Sequence, residues 1–173
     1  MNNQISLEEA IKTAIEYEKK VRDVYINAIK NVPEDIGKKI FKVLADEEQH
    51  HIDYLNRRLE EFQKDGKIQF EVLKTVIPSK TQIENDIHNI ETKVKIGDNR
   101  VEEELLRQAF EAELETKTYY ENLVNKLKDD EKALFSRFLE IEEAHGAIVQ
   151  AEIDSITKMG FWFDIMEFDL EAG

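Results

Sequence analysis

Apolar residues recur every three or four positions along four long stretches of this chain, which is the period of a helix burying one face. The first stretch starts at Ser6, an N-cap with Glu9 three residues on, and reaches about Lys30. Asn31 to Asp35 reads as a short turn, with Pro33 opening a second helix that stops at Asp65-Gly66. A third helix is expected to start behind Asp98 as N-cap and to reach about Lys128. Asp129 and Asp130 then mark a turn into a fourth helix, which ends near Met159-Gly160. Short turns make two antiparallel hairpins, and the stretch 66–98 is a long crossover with room for a short helix around 81–93. The pattern predicts an all-α, ferritin-like four-helix bundle. The domain is expected over residues 1–160, with 161–173 as an aromatic tail packed on the bundle or on a partner subunit.

The two hairpins are related. Shifting the first helix by 95 positions lays Glu18 on Glu113 and Tyr25 on Tyr120. Shifting the second by 94 lays Phe41 on Phe135, Glu48 on Glu142 and His51 on His145.

Composition adds limits more than detail. Six glycines and two prolines in 173 residues are too few to punctuate a sheet. A net charge of −14 repels phosphate backbones, so nucleic acid is not an expected partner. Having no cysteine, the chain can form neither a disulfide nor a thiolate metal site. No run approaches the roughly 20 apolar residues of a membrane span. The first residues lack the basic start and apolar run of a secretion signal, so the cytoplasm is the expected location.

The chemistry lies where the apolar stripes break. The first stripe runs Leu7, Ile11, Ala14, Glu18, Val21, Tyr25, and the third runs Leu106, Ala109, Glu113, Thr116, Tyr120. The second runs Phe41, Leu44, Glu48, His51, Leu55, and the fourth Phe135, Phe138, Glu142, His145, Val149. Each interruption lies about 13–16 residues from its hairpin turn, so at 1.5 Å per residue all six groups share roughly one height. An isolated Glu-x-x-His arises easily in a chain with 38 acidic residues; two of them, level with two further glutamates, do not. Buried carboxylates cost several kcal/mol unless paired or bound to metal. Four glutamates also balance two divalent cations. One Glu from each of two helices plus Glu-x-x-His from each of the others is the known pattern of di-iron and di-manganese carboxylate bundles. The expected metal ligands are Glu18, Glu48, His51, Glu113, Glu142 and His145, holding two iron ions, with manganese or zinc also compatible.

Glu47 and His50 repeat the Glu-x-x-His spacing, but on a face beside the stripe, where His50 either supports the ligands or meets solvent. Glu16 and Glu111 fall off their stripes, and His88 stands alone in the crossover. Tyr25 and Tyr120 share the core faces of Glu18 and Glu113, so their hydroxyls either bond ligand carboxylates or merely pack. Arg22 is placed to pair with a nearby carboxylate.

Over residues 6–158 the chain resembles the rubrerythrin branch of the ferritin-like superfamily. The resemblance rests on Glu18-x3-Arg22-x2-Tyr25, Glu48-x-x-His51, Glu113 with Tyr120, and Glu142-x-x-His145. It implies a non-haem di-iron oxidoreductase that reduces hydrogen peroxide or dioxygen in oxidative-stress defence. The alternative is an iron-binding or ferroxidase module that handles iron without sustained turnover, and a metal-free helical interaction protein is a third reading. It further implies Glu18 and Glu113 as terminal ligands and Glu48 and Glu142 as bridging ones. Two departures stand out: Thr116 replaces a further ligand glutamate of that family, and the cysteine-ligated rubredoxin domain has no counterpart. Electrons are therefore expected from a separate donor protein, and the expected assembly is a homodimer.

Overall fold

A computed structural model describes residues 5–68, 71–87, 99–127, 129–159 and Trp162. Its elements are α1 (Leu7–Asn31), α2 (Asp35–Asp65), α3 (Lys80–Ile87), α4 (Arg100–Val124) and α5 (Asp129–Met159). The four long helices form the ferritin-like bundle that the periodicity predicts. α1 packs on α2, α4 on α5 and α1 on α4, while α3, in the crossover, lies against α5.

Local chemistry sets the ends. Ser6 closes a reciprocal capping box with Glu9, satisfying two amides that α1 leaves unbonded. Gly66 ends α2 at φ 67°, a left-handed conformation that glycine adopts without strain. Three expected ends move. Pro33 does not open α2, because Glu34 remains extended at φ −79°, ψ 134° and serves as its N-cap. Asn99 caps α4, whereas Asp98 lies outside the described residues. α4 stops at Val124 instead of 128, since the amides of Lys126 and Leu127 both turn back to the Leu123 carbonyl at 2.9 Å. That turn buries Leu127 against the core, and α5 already begins at Asp129. The crossover helix spans Lys80–Ile87, and the remainder of the stretch expected to be helical, with His88, lies outside the described residues.

The core has two apolar layers. One contains Leu7, Ile11 and Ala14 of α1, Ile52 and Leu55 of α2, Tyr120 and Leu123 of α4, and Phe135 and Phe138 of α5. The other contains Val21 and Tyr25, then Phe41 and Leu44, then Leu106 and Ala109, then Ile148 and Val149. On every long helix the expected ligands separate one layer from the other, so the polar slab lies at one height in the bundle. The layer order also shows α1 antiparallel to α2 and α4, and parallel to α5.

Of the expected tail, Trp162 is described. It is buried, meets Phe41 edge-on at 5.6 Å, and lies so close to Gly37 that a Cβ there would stand 2.7 Å from its ring. The rest of 161–173 is outside the described residues.

Candidate metal centre

The six expected ligands converge in that slab. Glu18, Glu48, His51 and His145 are fully buried, and Glu113 and Glu142 are 1% exposed. Their donor atoms form two overlapping sets, each within 4.8 Å: Glu18, Glu48, His51 and Glu142, and Glu48, Glu113, Glu142 and His145. Glu48 and Glu142 belong to both sets, while each of the other four belongs to one of these two.

The imidazoles enter the slab through Nδ1. His51 Nδ1 lies 3.0 Å from Glu18 Oε2, 3.2 Å from Glu48 Oε2 and 3.6 Å from Glu142 Oε1. His145 Nδ1 lies 2.8 Å from Glu48 Oε1 and 3.7 Å from Glu113 Oε1. The two rings stack with planes 6° apart. The tyrosines cross between hairpins: Tyr25 Oη donates to Glu113 Oε1 and Tyr120 Oη donates to Glu18 Oε1. Both hydroxyls thus bond the carboxylates, and the rings also pack, Tyr25 against Phe41 and Tyr120 against Phe135 and Phe138.

Charge is unevenly held in the cluster. Burial works against ionised Glu18, but His51 beside it and the Tyr120 hydroxyl hold its carboxyl below the usual range. Burial, then the Glu18 charge, pushes Glu48 and Glu142 far up. Burial raises Glu113 to about 7 against the relief that Tyr25 provides. His51 rises to about 9 because Glu18 outweighs its desolvation, whereas burial, with His51 charged nearby, drives His145 well below its ordinary value.

The donor set could hold divalent metal. Glu48 Oε2, Glu113 Oε2 and both oxygens of Glu142 are buried without a hydrogen-bond partner, an arrangement that costs free energy unless a cation accepts their lone pairs. Oxygen-rich ligation with one imidazole per set suits iron or manganese.

The neighbours sort by burial. Glu16, Glu111 and His50 are exposed. Arg22 pairs with Asp23 at 2.7 Å and reaches Gln49. Thr116 is buried on the stripe, its hydroxyl bonded to the Ala112 carbonyl at 3.0 Å, so α4 supplies no further carboxylate one turn after Glu113. Glu47 is the residue that periodicity underrates. It is 6% exposed, groups with His51 and His145, and accepts hydrogen bonds from Thr75 Oγ1 and the Val76 amide. The crossover covers a face that the α2 pattern leaves beside the core; only the repeated Glu-x-x-His spacing hinted at it.

No helix among the described residues is long and apolar enough to cross a membrane. Neither the curated proteins nor the solved structures contain a match to the chain. The family model described as Rubrerythrin matches residues 9–153, a span that holds both tyrosines and every residue of the two overlapping sets. With most of its length inside that match, the chain belongs to the rubrerythrin family of ferritin-like di-iron proteins.

Proposed function

We propose that this protein is a cytoplasmic di-iron oxidoreductase that reduces hydrogen peroxide or dioxygen, supplied with electrons by a separate donor protein. The observation that carries the reading is the pair of overlapping four-residue sets sharing Glu48 and Glu142. Glu18 with His51 and Glu113 with His145 would each hold one iron, and Glu48 and Glu142, common to both sets, would serve both. When bound, the iron pair supplies the two electrons that the oxidant takes up.

The chain's own residues do the rest. Tyr25 and Tyr120 fix the terminal carboxylates from the opposite hairpin, and burial together with those carboxylates keeps both phenols protonated. The two apolar layers exclude water above and below the slab, which strengthens every charge interaction inside it. Glu47 ties the crossover to the histidine side of the cluster through Thr75 and Val76.

An anaerobic titration with ferrous iron, followed by peroxide in one arm and dioxygen in the other, tests the proposal. The expected result is uptake of about two irons per chain, as the four carboxylates require. Prompt oxidation should follow, with repeated turnover once a reductant is added. Uptake and a single oxidation that no reductant reverses would favour iron handling; a metal content near zero would remove the proposal.

A further inference from the structure

Among the described residues, a groove reaches the cluster from outside. It lies between α4 and α5 beneath α3 and encloses about 360 Å³, with Glu113 and Glu142 on its floor. Both residues belong to one of the two overlapping sets, so the groove ends at the metal centre. Phe110, Leu114 and Ala147 form its walls. Beside them, Gly146 leaves a gap in α5, where an added Cβ would meet nothing within 4 Å.

The size decides the ligand class. Hydrogen peroxide has two heavy atoms, and a water molecule's share of the liquid is about 30 Å³. The groove falls instead within the roughly 300–1,000 Å³ of sites for organic molecules. Its rim carries Lys80 and Lys117 against Glu84, Glu143 and Asp154, on a chain of net charge −14, which disfavours an anion. We infer that this groove binds a neutral organic hydroperoxide, with its alkyl or aryl group against Phe110, Leu114 and Ala147 and its peroxide end at Glu113 and Glu142. The inference rests on the reduction proposed above and extends it. In the balanced reaction the O–O bond breaks, and two electrons and two protons convert the hydroperoxide into an alcohol and water. A bound ferrous pair would supply the two electrons, and a one-electron donor protein would restore them.

The test compares cumene hydroperoxide with hydrogen peroxide as oxidants of the full, iron-loaded chain. Calorimetry of the diferric protein with 2-phenyl-2-propanol, the product alcohol, gives a readout independent of turnover. Wild type should use both peroxides and bind the alcohol at or below about 1 mM. Gly146→Leu should lower the kcat/KM ratio of cumene hydroperoxide to hydrogen peroxide at least tenfold and weaken alcohol binding as much. Gly146→Ala, which places one methyl in the same gap, should move both quantities in the same direction and keeps the test decisive if the leucine variant does not fold. A ratio unchanged within twofold in both variants would overturn the inference. So would a wild type that reduces hydrogen peroxide but neither uses cumene hydroperoxide nor binds the alcohol. Alcohol binding without reduction of either peroxide would instead overturn the function proposed above and leave the groove as a ligand site.

Discussion

A glutamate in the middle of a helical bundle must share its charge or give it up, and the four in this slab divide those outcomes. Glu18 keeps its charge against His51 and Tyr120, while Glu113 holds its proton up to about pH 7 although Tyr25 donates to it. The difference makes Glu113→Gln informative. An amide accepts the Tyr25 hydrogen bond as a carbonyl does, and it removes a group that burial makes costly to ionise. The expected result is weaker metal binding with an apo melting temperature no lower than wild type, read from melts with and without ferrous iron under anaerobic conditions. Equal melting of mutant and wild type in both conditions would exclude Glu113 as a ligand. The two adjacent histidines give a second residue-scale test. His51 is fully buried beside three of the carboxylates and His50 is exposed, so His51→Ala should sharply lower bound metal by elemental analysis and His50→Ala should leave it nearly unchanged. The reverse ranking would mean that the ligand face of α2 is misread by one residue.

Each long helix carries its share of the site at one break in an apolar stripe, and that is why the site was legible in the sequence. A step of three or four fixes which side chains face inward, and the hairpin turns fix their height, so the slab at Glu18, Glu48, Glu113 and Glu142 needed no long-range information. Glu47 and Gly37 did. Glu47 is buried because the segment around Thr75 folds over it, and Gly37 is a glycine that leaves room for Trp162 to lie against α2. No periodicity within α2 records what another segment places on its outer face. The end of α4 departs from the pattern for a related reason: the stripe continues to Leu127, but the backbone tightens at Leu123 to turn the chain. The Gly37 contact is testable, because Trp162 is the chain's single tryptophan. Gly37→Ala would put a methyl 2.7 Å from the ring, so the indole must shift. The expected result is a red shift of tryptophan emission and a loss of about 1–3 kcal/mol, the usual range for overpacking. An unchanged spectrum would show that Trp162 does not dock on α2 in solution.

At the scale of the whole molecule, the cluster couples folding to both protons and metal, with opposite signs. Folding of the apo protein raises His51 from 6.5 to about 9 and Glu113 from 4.5 to about 7, and raises Glu48 and Glu142 as well. A group that binds its proton more tightly when folded stabilises the fold below its unfolded pKa, and that stabilisation is lost as pH rises through the folded value. Glu113 has given up nearly all of its contribution by about pH 7, whereas His51 loses its own between pH 7 and 9, so over that interval His51 weakens the apo fold. His145 and Glu18, whose values fall on folding, contribute stability that is already complete at the start of this interval, being lost only toward acid. At about 1.4 kcal/mol per proton and pH unit, His51 alone accounts for a loss of about 2 kcal/mol. For a chain of this size that corresponds to about 4–8 °C in melting temperature. Metal reverses the sign, since it binds the deprotonated ligands and only the folded state, so its affinity grows as the protons leave. The melting temperature of the apo protein should thus fall from pH 7 to 9, and the gap between ferrous-loaded and apo protein should widen under anaerobic conditions. An apo protein that gained stability over the same interval would show that His51 and the carboxyls are not buried against one another. A gap that failed to widen would show that metal displaces no protons from them, and either result would undo the two overlapping sets as a metal centre.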